Sequence, residues 1–267
     1  MRPSVSRIVW LVVLAAPPSL RAAEPAALAA TIDRHIERAW AAAKVKPALA
    51  ADDAAYARRL YLYLVGRVST VAEVRGFLAD TAPDKRAKLA GRLLGTAAHA
   101  RHWATVWRRE WIPQADQPQA RLADEVDGWL AARLRDNVGY DRIVRDLLTA
   151  SPAPVDAGPA APPVPATFLA AGEFRPENLA ANTTRAFLGV NLDCAQCHDH
   201  PFARWTRDQF WETAAFFARP TATDPPRLEV RVADTKRTVA PRLLDGDARW
   251  PARIEKDTGR RVLAGWV

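Results

Sequence analysis

Apolar residues recur at helical spacing through most of the first 150 residues, and this pattern most restricts the fold. Ile32, Ile36 and Trp40 lie four residues apart within Leu28–Lys44, and a similar stripe occupies Ala54–Val65. A repeat of three to four residues places apolar side chains on one face of an α-helix. We therefore expect a mainly α protein. The predicted boundaries are Gly66, the Thr70/Glu73 capping box, Pro83 at the start of the next helix, Gly95, the Thr96 cap, and helices over Ala120–Arg135 and Tyr140–Thr149.

The second half of the chain begins with a proline-rich stretch, residues 151–166, which we expect to be an extended loop. Beyond it, Pro176–Val190 has a helical pattern, and Thr206 with Gln209 forms a capping box for a helix that runs to about Ala218. The tail favours a small β-hairpin over residues 227–240 and a helix from Thr258. We divide the chain into 24–150 and 167–220, which form one domain, and a tail over 221–267.

The segment between the two later helices contains both cysteines of the chain, in the sequence Cys194-Ala195-Gln196-Cys197-His198. C-x-x-C-H is the signature of c-type haem attachment. Each of the two thiols can form a thioether with one vinyl group of a single porphyrin, and the adjacent His198 is then the proximal iron ligand. The sequence therefore predicts covalent haem c held by Cys194, Cys197 and His198, in a loop between two helices.

The N-terminus predicts export. Arg2 and Arg7 precede an apolar run from Ile8 to Ala16, and small residues follow at Ala22 and Ala23. The run is too short to span a bilayer, so we interpret residues 1–23 as a cleaved signal peptide. No later stretch has the length of a transmembrane helix. We expect a mature protein without a membrane span, in the periplasm or outside the cell.

Charge and motif content narrow the classes of function. The formal charge is +8, but lysine and arginine are interspersed with acidic residues, which is not typical of a nucleic-acid-binding protein. An acidic polysaccharide or the cell surface is a partner that this charge would allow. The chain has no G-x-S-x-G motif and no glycine-rich phosphate loop. We predict electron transfer at the iron, with a redox partner that the sequence does not identify.

The sequence around the cysteines resembles an exported planctomycete cytochrome-c-like family of unknown function. The resemblance rests on AFLGVNLDCAQCHDHPFARWTRDQFWETAAFFARP (186–220), YARRLYLYLVGRVSTVAEVRGFLAD (56–80), ARHW (100–103) and NVGYDRIVRDLLTAS (137–151). It covers roughly residues 28–220 and implies export and a haem site, but no established reaction. The turn at 65–68 and the residues at 104–111 depart from the family pattern. Family members usually continue into a second domain, which VAPRLLDGDARW and RVLAGWV resemble, so we expect 221–267 to begin that domain without completing it.

The sixth ligand of such a haem iron is open at this stage. The only methionine is Met1, in the signal peptide, which leaves His35, His99, His102 or water. His102 is the first choice because it matches the His-Trp block of the family. Two further residues, Asp199 and His200, are expected to orient the motif, Asp199 as an acceptor for an imidazole N–H. Arg204 is a candidate partner for a haem propionate. For each of these residues except the motif itself, an ordinary structural role is the competing interpretation.

Three alternatives do not involve haem. Cys194 and Cys197 with His198 or His200 could hold zinc, although no fourth ligand has recognisable spacing. A thiol oxidoreductase is disfavoured because its C-x-x-C usually follows a strand in a βαβ fold. The third is a non-catalytic scaffold, at the cell surface or associated with polysaccharide, in which the two cysteines form a disulfide in an oxidising compartment.

Overall fold

The computed structural model describes residues 25–112, 120–151 and 164–267. The predicted signal peptide and most of the proline-rich loop lie outside these ranges. The mainly α prediction is confirmed. The helices are α1 Pro25–Ala43, α2 Asp53–Val65, α3 Val71–Ala79, α4 Lys85–Leu94, α5 Ala97–Trp111, α6 Ala120–Arg135, α7 Tyr140–Thr149, α8 Thr167–Ala171, α9 Pro176–Leu188, α10 Arg207–Ala214 and α11 Thr258–Trp266.

The chain divides into two compact units, of which the first ends at Ala51 and the second runs from Asp52 to Val267. Helix α1 belongs to the first unit, and its stripe of Ile32, Ile36 and Trp40 is exposed. The second unit contains helices α2 to α11 and the predicted hairpin. This hairpin consists of β1 (Val230–Arg231) and β2 (Thr238–Val239), antiparallel with Val230 opposite Val239.

The helix boundaries follow from local chemistry. Both capping boxes form, at Thr70/Glu73 and at Thr206/Gln209. Gly66 ends α2 with φ 69°, a left-handed conformation that glycine adopts without steric cost. One boundary prediction was wrong. Pro83 is not the first residue of α4, because Asp84 is the N-cap and Pro83 lies in the turn before it.

Two boundaries near the motif also differ from the prediction. Helix α9 ends at Leu188, two residues early, since Gly189 at φ 62° donates its N–H to the carbonyl of Thr184. Helix α10 ends at Ala214, and residues 215–217 form a tighter 3₁₀ turn. The last residues of the proline-rich stretch, 164–166, are a 3₁₀ turn in which Ala166 is fully buried.

The largest core joins α5, α6, α7, α8, α9 and α11. Its buried members include Trp111, Leu130, Ile143, Leu148, Phe168, Leu179, Phe216 and Leu263. On α5, Trp111 is in this core and Trp107 packs against it. A second cluster lies between α2, α3 and α4, around Tyr61 and Phe77.

A third cluster positions the cysteine motif. It combines Ala180 of α9, Leu192 and Ala195 of the motif segment, Phe210, Trp211 and Ala214 of α10, and Val232 of the hairpin. The motif therefore rests on a small apolar core of its own, built from the helix before it, the helix after it and the hairpin.

Candidate functional site

The two cysteines lie on a 3₁₀ turn, Asp193–Gln196, that Cys197 directly follows. Ala195, between them, is fully buried and donates its N–H to the carbonyl of Leu192 at 2.8 Å. Side chains three residues apart eclipse one another on a 3₁₀ helix. Cys194 and Cys197 therefore lie on one side of the turn, and both thiols are free and exposed. Buried Ala195 holds the turn against the cluster beneath it.

His198 follows with an exposed ring whose Nδ1 lies 2.7 Å from the backbone carbonyl of Asp199. A carbonyl oxygen only accepts, so this bond assigns the proton to Nδ1 and leaves the lone pair on Nε2 free. Metal-binding histidines commonly have this arrangement, because the second-ring hydrogen bond fixes both the tautomer and the orientation of the ring. This tautomer leaves Nε2 of His198 available to bind a metal ion.

His200 has the opposite tautomer and a different task. Its Nδ1 accepts the N–H of Phe202 at 3.1 Å, so the neutral ring carries its proton on Nε2. The N–H of His200 donates to the carbonyl of Trp205 at 2.8 Å. His200 therefore closes the loop over 200–205, and the structure gives its ring a role in loop geometry.

Asp199 ties the motif to α10. Its backbone carbonyl, rather than its carboxylate, is the partner of the His198 ring. The carboxylate Oδ1 accepts the N–H of Arg207, the first residue of α10, at 2.8 Å. A carboxylate at a helix N-terminus is stabilised by the free N–H groups there. One residue thus fixes both the imidazole and the helix start.

Arg207 and Trp211 of α10 hold the other side of the turn. The carbonyl of Gln196, inside the motif, accepts from Trp211 Nε1 at 3.1 Å and from Arg207 Nε at 3.4 Å. Arg207 Nη2 also donates to the carbonyl of Ala233 in the hairpin, at 2.7 Å. Neither residue was predicted from the sequence to contact the motif. The capping box gave the position of α10, but nothing local indicates that these side chains return to the motif.

The hairpin is joined to α10 by a charge pair. Arg237 pairs with both carboxylate oxygens of Asp208, with Nη1 2.8 Å from Oδ2, and this guanidinium lowers the pKa of Asp208. The next acid on the helix, Glu212, has its pKa raised, chiefly by burial. Before the motif, Arg185 of α9 pairs with Asp193 at 2.6 Å.

Arg204 lies in the loop over 200–205, and its side chain is exposed. Its guanidinium carbon is 5.0 Å from the centre of the Trp205 ring, a cation–π contact. Arg204 also lines a polar cavity of about 540 Å³ with Gln209, Glu212 and Arg242. Phe202, two residues earlier, is 94% exposed. An apolar ring and a cation therefore both face solvent beside the motif.

The histidines considered for the sixth ligand position lie elsewhere. His102 packs its ring onto Gly66 and contacts Trp103 edge-on at 5.7 Å between ring centres. His99 has Nδ1 2.8 Å from the carbonyl of Leu64. Both are at the contact of α5 with the end of α2, and their described contacts do not include the motif. His35 is in α1, within the first unit.

The site residues form no closed metal centre by themselves. Among the residues that the structure describes, no three histidine, cysteine, aspartate or glutamate side chains are placed to hold a metal ion together. Within the same ranges, no helix is both long and apolar enough to cross a membrane.

The fold and the site define a class: a mainly α protein that presents two thiols and an oriented imidazole on a short turn. A protein-family model described as PSCyt2, protein of unknown function (DUF1549), matches residues 31–222. The chain belongs to this family, whose name describes a cytochrome-like protein. No curated protein and no solved structure matches the chain.

The donor set fits a covalently attached haem. Two exposed thiols on one side of a turn can both form thioethers, and the Nδ1–H bond of His198 to the Asp199 carbonyl leaves Nε2 available for iron. The fit extends to these three residues and their supports.

Proposed function

We propose that the chain is an exported c-type haem-binding protein that transfers electrons. The observation that carries the proposal is the tautomer of His198, which the Asp199 carbonyl fixes with Nε2 unprotonated beside two exposed thiols. Bound haem would supply a one-electron Fe(III)/Fe(II) couple. The family match supports a cytochrome-like protein in general, and the residues of the motif support haem in particular.

Each protein group has a defined task in this proposal. Cys194 and Cys197 each form a carbon–sulfur bond with one vinyl group, and the other vinyl carbon takes the thiol proton. His198 holds the iron through Nε2, while the Asp199 carbonyl keeps its ring from rotating. Arg207 and Trp211 keep the turn in place through the Gln196 carbonyl. Because both thiols are exposed, a porphyrin bound to them would be attached at the protein surface, where a redox partner could reach it.

His102 remains our proposed sixth ligand, with His99, His35 or water as the alternatives. The spectrum of the purified haem protein tests the assignment, since His102→Ala removes the imidazole. A changed ligand-field spectrum supports His102 ligation. An unchanged spectrum rejects it and leaves His99, His35 or water. His99→Ala serves as the matched control, because His99 is on the same helix one turn away.

Haem attachment is tested by cysteine variants in a host with c-type maturation machinery. We expect Cys194→Ser and Cys197→Ser each to retain at most one thioether, and the double variant to lose all covalent haem. Arg204→Gln tests whether this residue pairs with a propionate, through a change in redox potential with the covalent haem retained. If the double variant kept the spectrum of the parent chain, the proposal would fail.

The alternative is a non-catalytic scaffold that binds the cell surface or an acidic polysaccharide. The net positive formal charge supports it, as do two thiols that lie three residues apart and could pair by oxidation. In that case the exported chain carries no haem, and its thiols resist alkylation until they are reduced. Stoichiometric zinc without haem would indicate the metal-site alternative instead.

A further inference from the structure

A second site lies at the other end of α9 from the motif. A cavity of about 500 Å³ opens beside Pro176, the first residue of this helix. The motif segment follows Leu188, the last residue of the helix. A 13-residue helix is about 20 Å long. The floor is apolar and the rim is basic. The apolar floor includes Leu169, Phe174, Leu179 and Phe217.

The rim carries three cations. Arg219 and Lys256 are exposed, and neither has an ion pair or side-chain hydrogen bond with any residue in the described ranges. Arg260 is more enclosed, and its Nη1 donates to the carbonyls of Leu148 and Ala150 at 3.1 and 2.7 Å. Carbonyl oxygens satisfy the N–H groups of a guanidinium without neutralising its charge. Burial lowers the pKa of Arg260, as expected for a cation without an anionic partner at hydrogen-bond distance.

Three of the acidic residues near this rim are paired with other arginines, whereas Glu173, next to Phe174, is exposed and has no ion pair among the described residues. Glu177 pairs with Arg175 at the start of α9. Glu255 and Asp257 both pair with Arg261, each at 3.1 Å, although the charge of Asp257 also acts on Arg260. The three rim cations therefore keep an excess of positive charge at the mouth of an apolar cavity.

Two helix N-termini add to this charge. Pro176 begins α9 and lines the cavity, while Lys256 and Arg260 lie on either side of the start of α11. The N-cap residues, Arg175 and Asp257, make no side-chain capping bond. Uncapped helix starts carry partial positive charge, and they favour anions when cations accompany them.

The mouth is shaped by a constrained turn. Glu173 and Phe174 both have positive φ, 56° and 54°, which costs roughly 1–2 kcal/mol per residue without glycine. The turn keeps the Phe174 ring at the cavity, where it is 46% exposed. A ligand with an apolar body would cover this ring.

We propose that this cavity binds an organic anion with an apolar body and one acidic group, such as a medium-chain carboxylate. The alkyl chain of the ligand lies against Leu169, Leu179, Phe174 and Phe217. Its carboxylate is held by Arg219, Lys256 and Arg260. Volumes of this size are typical of sites for small ligands. The site is independent of the cysteine motif and of haem.

Calorimetric titration of the chain with octanoate tests the proposal, with octan-1-ol as the uncharged ligand of equal length. We expect octanoate to bind at least tenfold more tightly than the alcohol, and more weakly as ionic strength rises. Lys256→Gln and Arg219→Gln should each weaken octanoate binding about fivefold, as exposed charges contribute modestly. Arg260 is left unchanged because it also supports the backbone.

The matched controls are Lys236→Gln and Arg109→Gln, which remove exposed cations outside the cavity lining. These should leave octanoate affinity unchanged. Phe174→Ala tests the apolar half and should weaken octanoate and octan-1-ol alike. No octanoate binding, equal affinity for acid and alcohol, or equal losses in the rim and control variants would overturn the proposal.

Discussion

At the residue scale, the chemistry of the site depends on which nitrogen of each histidine carries the proton. His198 and His200 are two residues apart, yet one bonds through Nδ1 to a carbonyl and the other accepts at Nδ1 from an N–H. The backbone thus leaves Nε2 of His198 unprotonated, whereas the ring of His200 is hydrogen-bonded within its own loop. The sequence alone did not show this difference.

We therefore expect different effects when the side chain of each histidine is removed. His198→Ala should retain covalent haem, because both thiols remain, but change the visible spectrum through loss of the proximal ligand. His200→Ala, the matched control, should keep the ligand-field spectrum of the parent chain. Absorption spectra of the purified oxidised and reduced proteins make the comparison. Identical spectra for the two variants would contradict the assignment.

Gly66 gives a second prediction at this scale. A Cβ added there would lie 2.2 Å from His102 Nδ1, and the residue has φ 69°. Gly66→Ala combines backbone strain with overpacking and should lower the free energy of unfolding by about 3 kcal/mol. Gly189 has a similar φ of 62° but nothing within 4 Å of its Cβ, so Gly189→Ala should cost only about 1 kcal/mol.

Chemical denaturation of the three proteins measures this difference. Because both glycines end a helix in the left-handed region, subtracting one loss from the other isolates the contact with the His102 ring. Equal losses would show that this ring moves away freely. That result would also make His102 easier to recruit as an iron ligand.

At the element scale, α10 is the support of the motif. Trp211 Nε1 donates to the Gln196 carbonyl, and its ring is in the cluster beneath the turn. Trp211→Phe removes the N–H and one of the two fused rings of a side chain that is 4% exposed, so we expect a loss of about 2–3 kcal/mol in the free energy of unfolding.

Trp205→Phe is the matched control for this change. The indole N–H of Trp205 has no acceptor among the described residues, and its ring packs against the cluster only partly buried, so the change should cost less than about 1 kcal/mol. Urea unfolding of both variants makes the measurement. A larger loss for Trp205→Phe than for Trp211→Phe would contradict the support that we assign to α10.

Element boundaries were largely predictable because their causes are local. The capping boxes Thr70/Glu73 and Thr206/Gln209 can be recognised from the sequence alone, and both form in the structure. The contacts of Arg207 and Trp211 with the motif were not predictable. The contacts with the motif join residues 11 and 15 positions apart, and the contact of Arg207 with the hairpin joins residues 26 apart. All of them depend on how α10 packs against the turn and the hairpin.

At the scale of the whole molecule, the tail is built into the same core as the helices before the motif. Leu263 and Ala264 of α11 are buried with Ile143 and Leu147 of α7. The helix and hairpin of the tail were predicted from sequence, whereas this packing was not. Whether residues 221–267 also begin a second domain stays a prediction.

Leu263 provides a test of this packing. It is 2% exposed, so Leu263→Ala should lower the free energy of unfolding by about 2–4 kcal/mol through lost burial and a cavity. The control, Leu94→Ala, changes a leucine that is 51% exposed and should cost less than about 1 kcal/mol. Equal, small losses would show that α11 does not contribute to the core.

The central claim is that Cys194, Cys197 and His198 hold a covalent haem. Its most direct test is the intact mass of the chain, exported from a host with c-type haem maturation machinery, together with its visible spectrum. The account predicts a mass increase of one haem and a sharp α-band on reduction. A colourless protein at the apo mass, while a known c-type cytochrome matures in the same host, would contradict it.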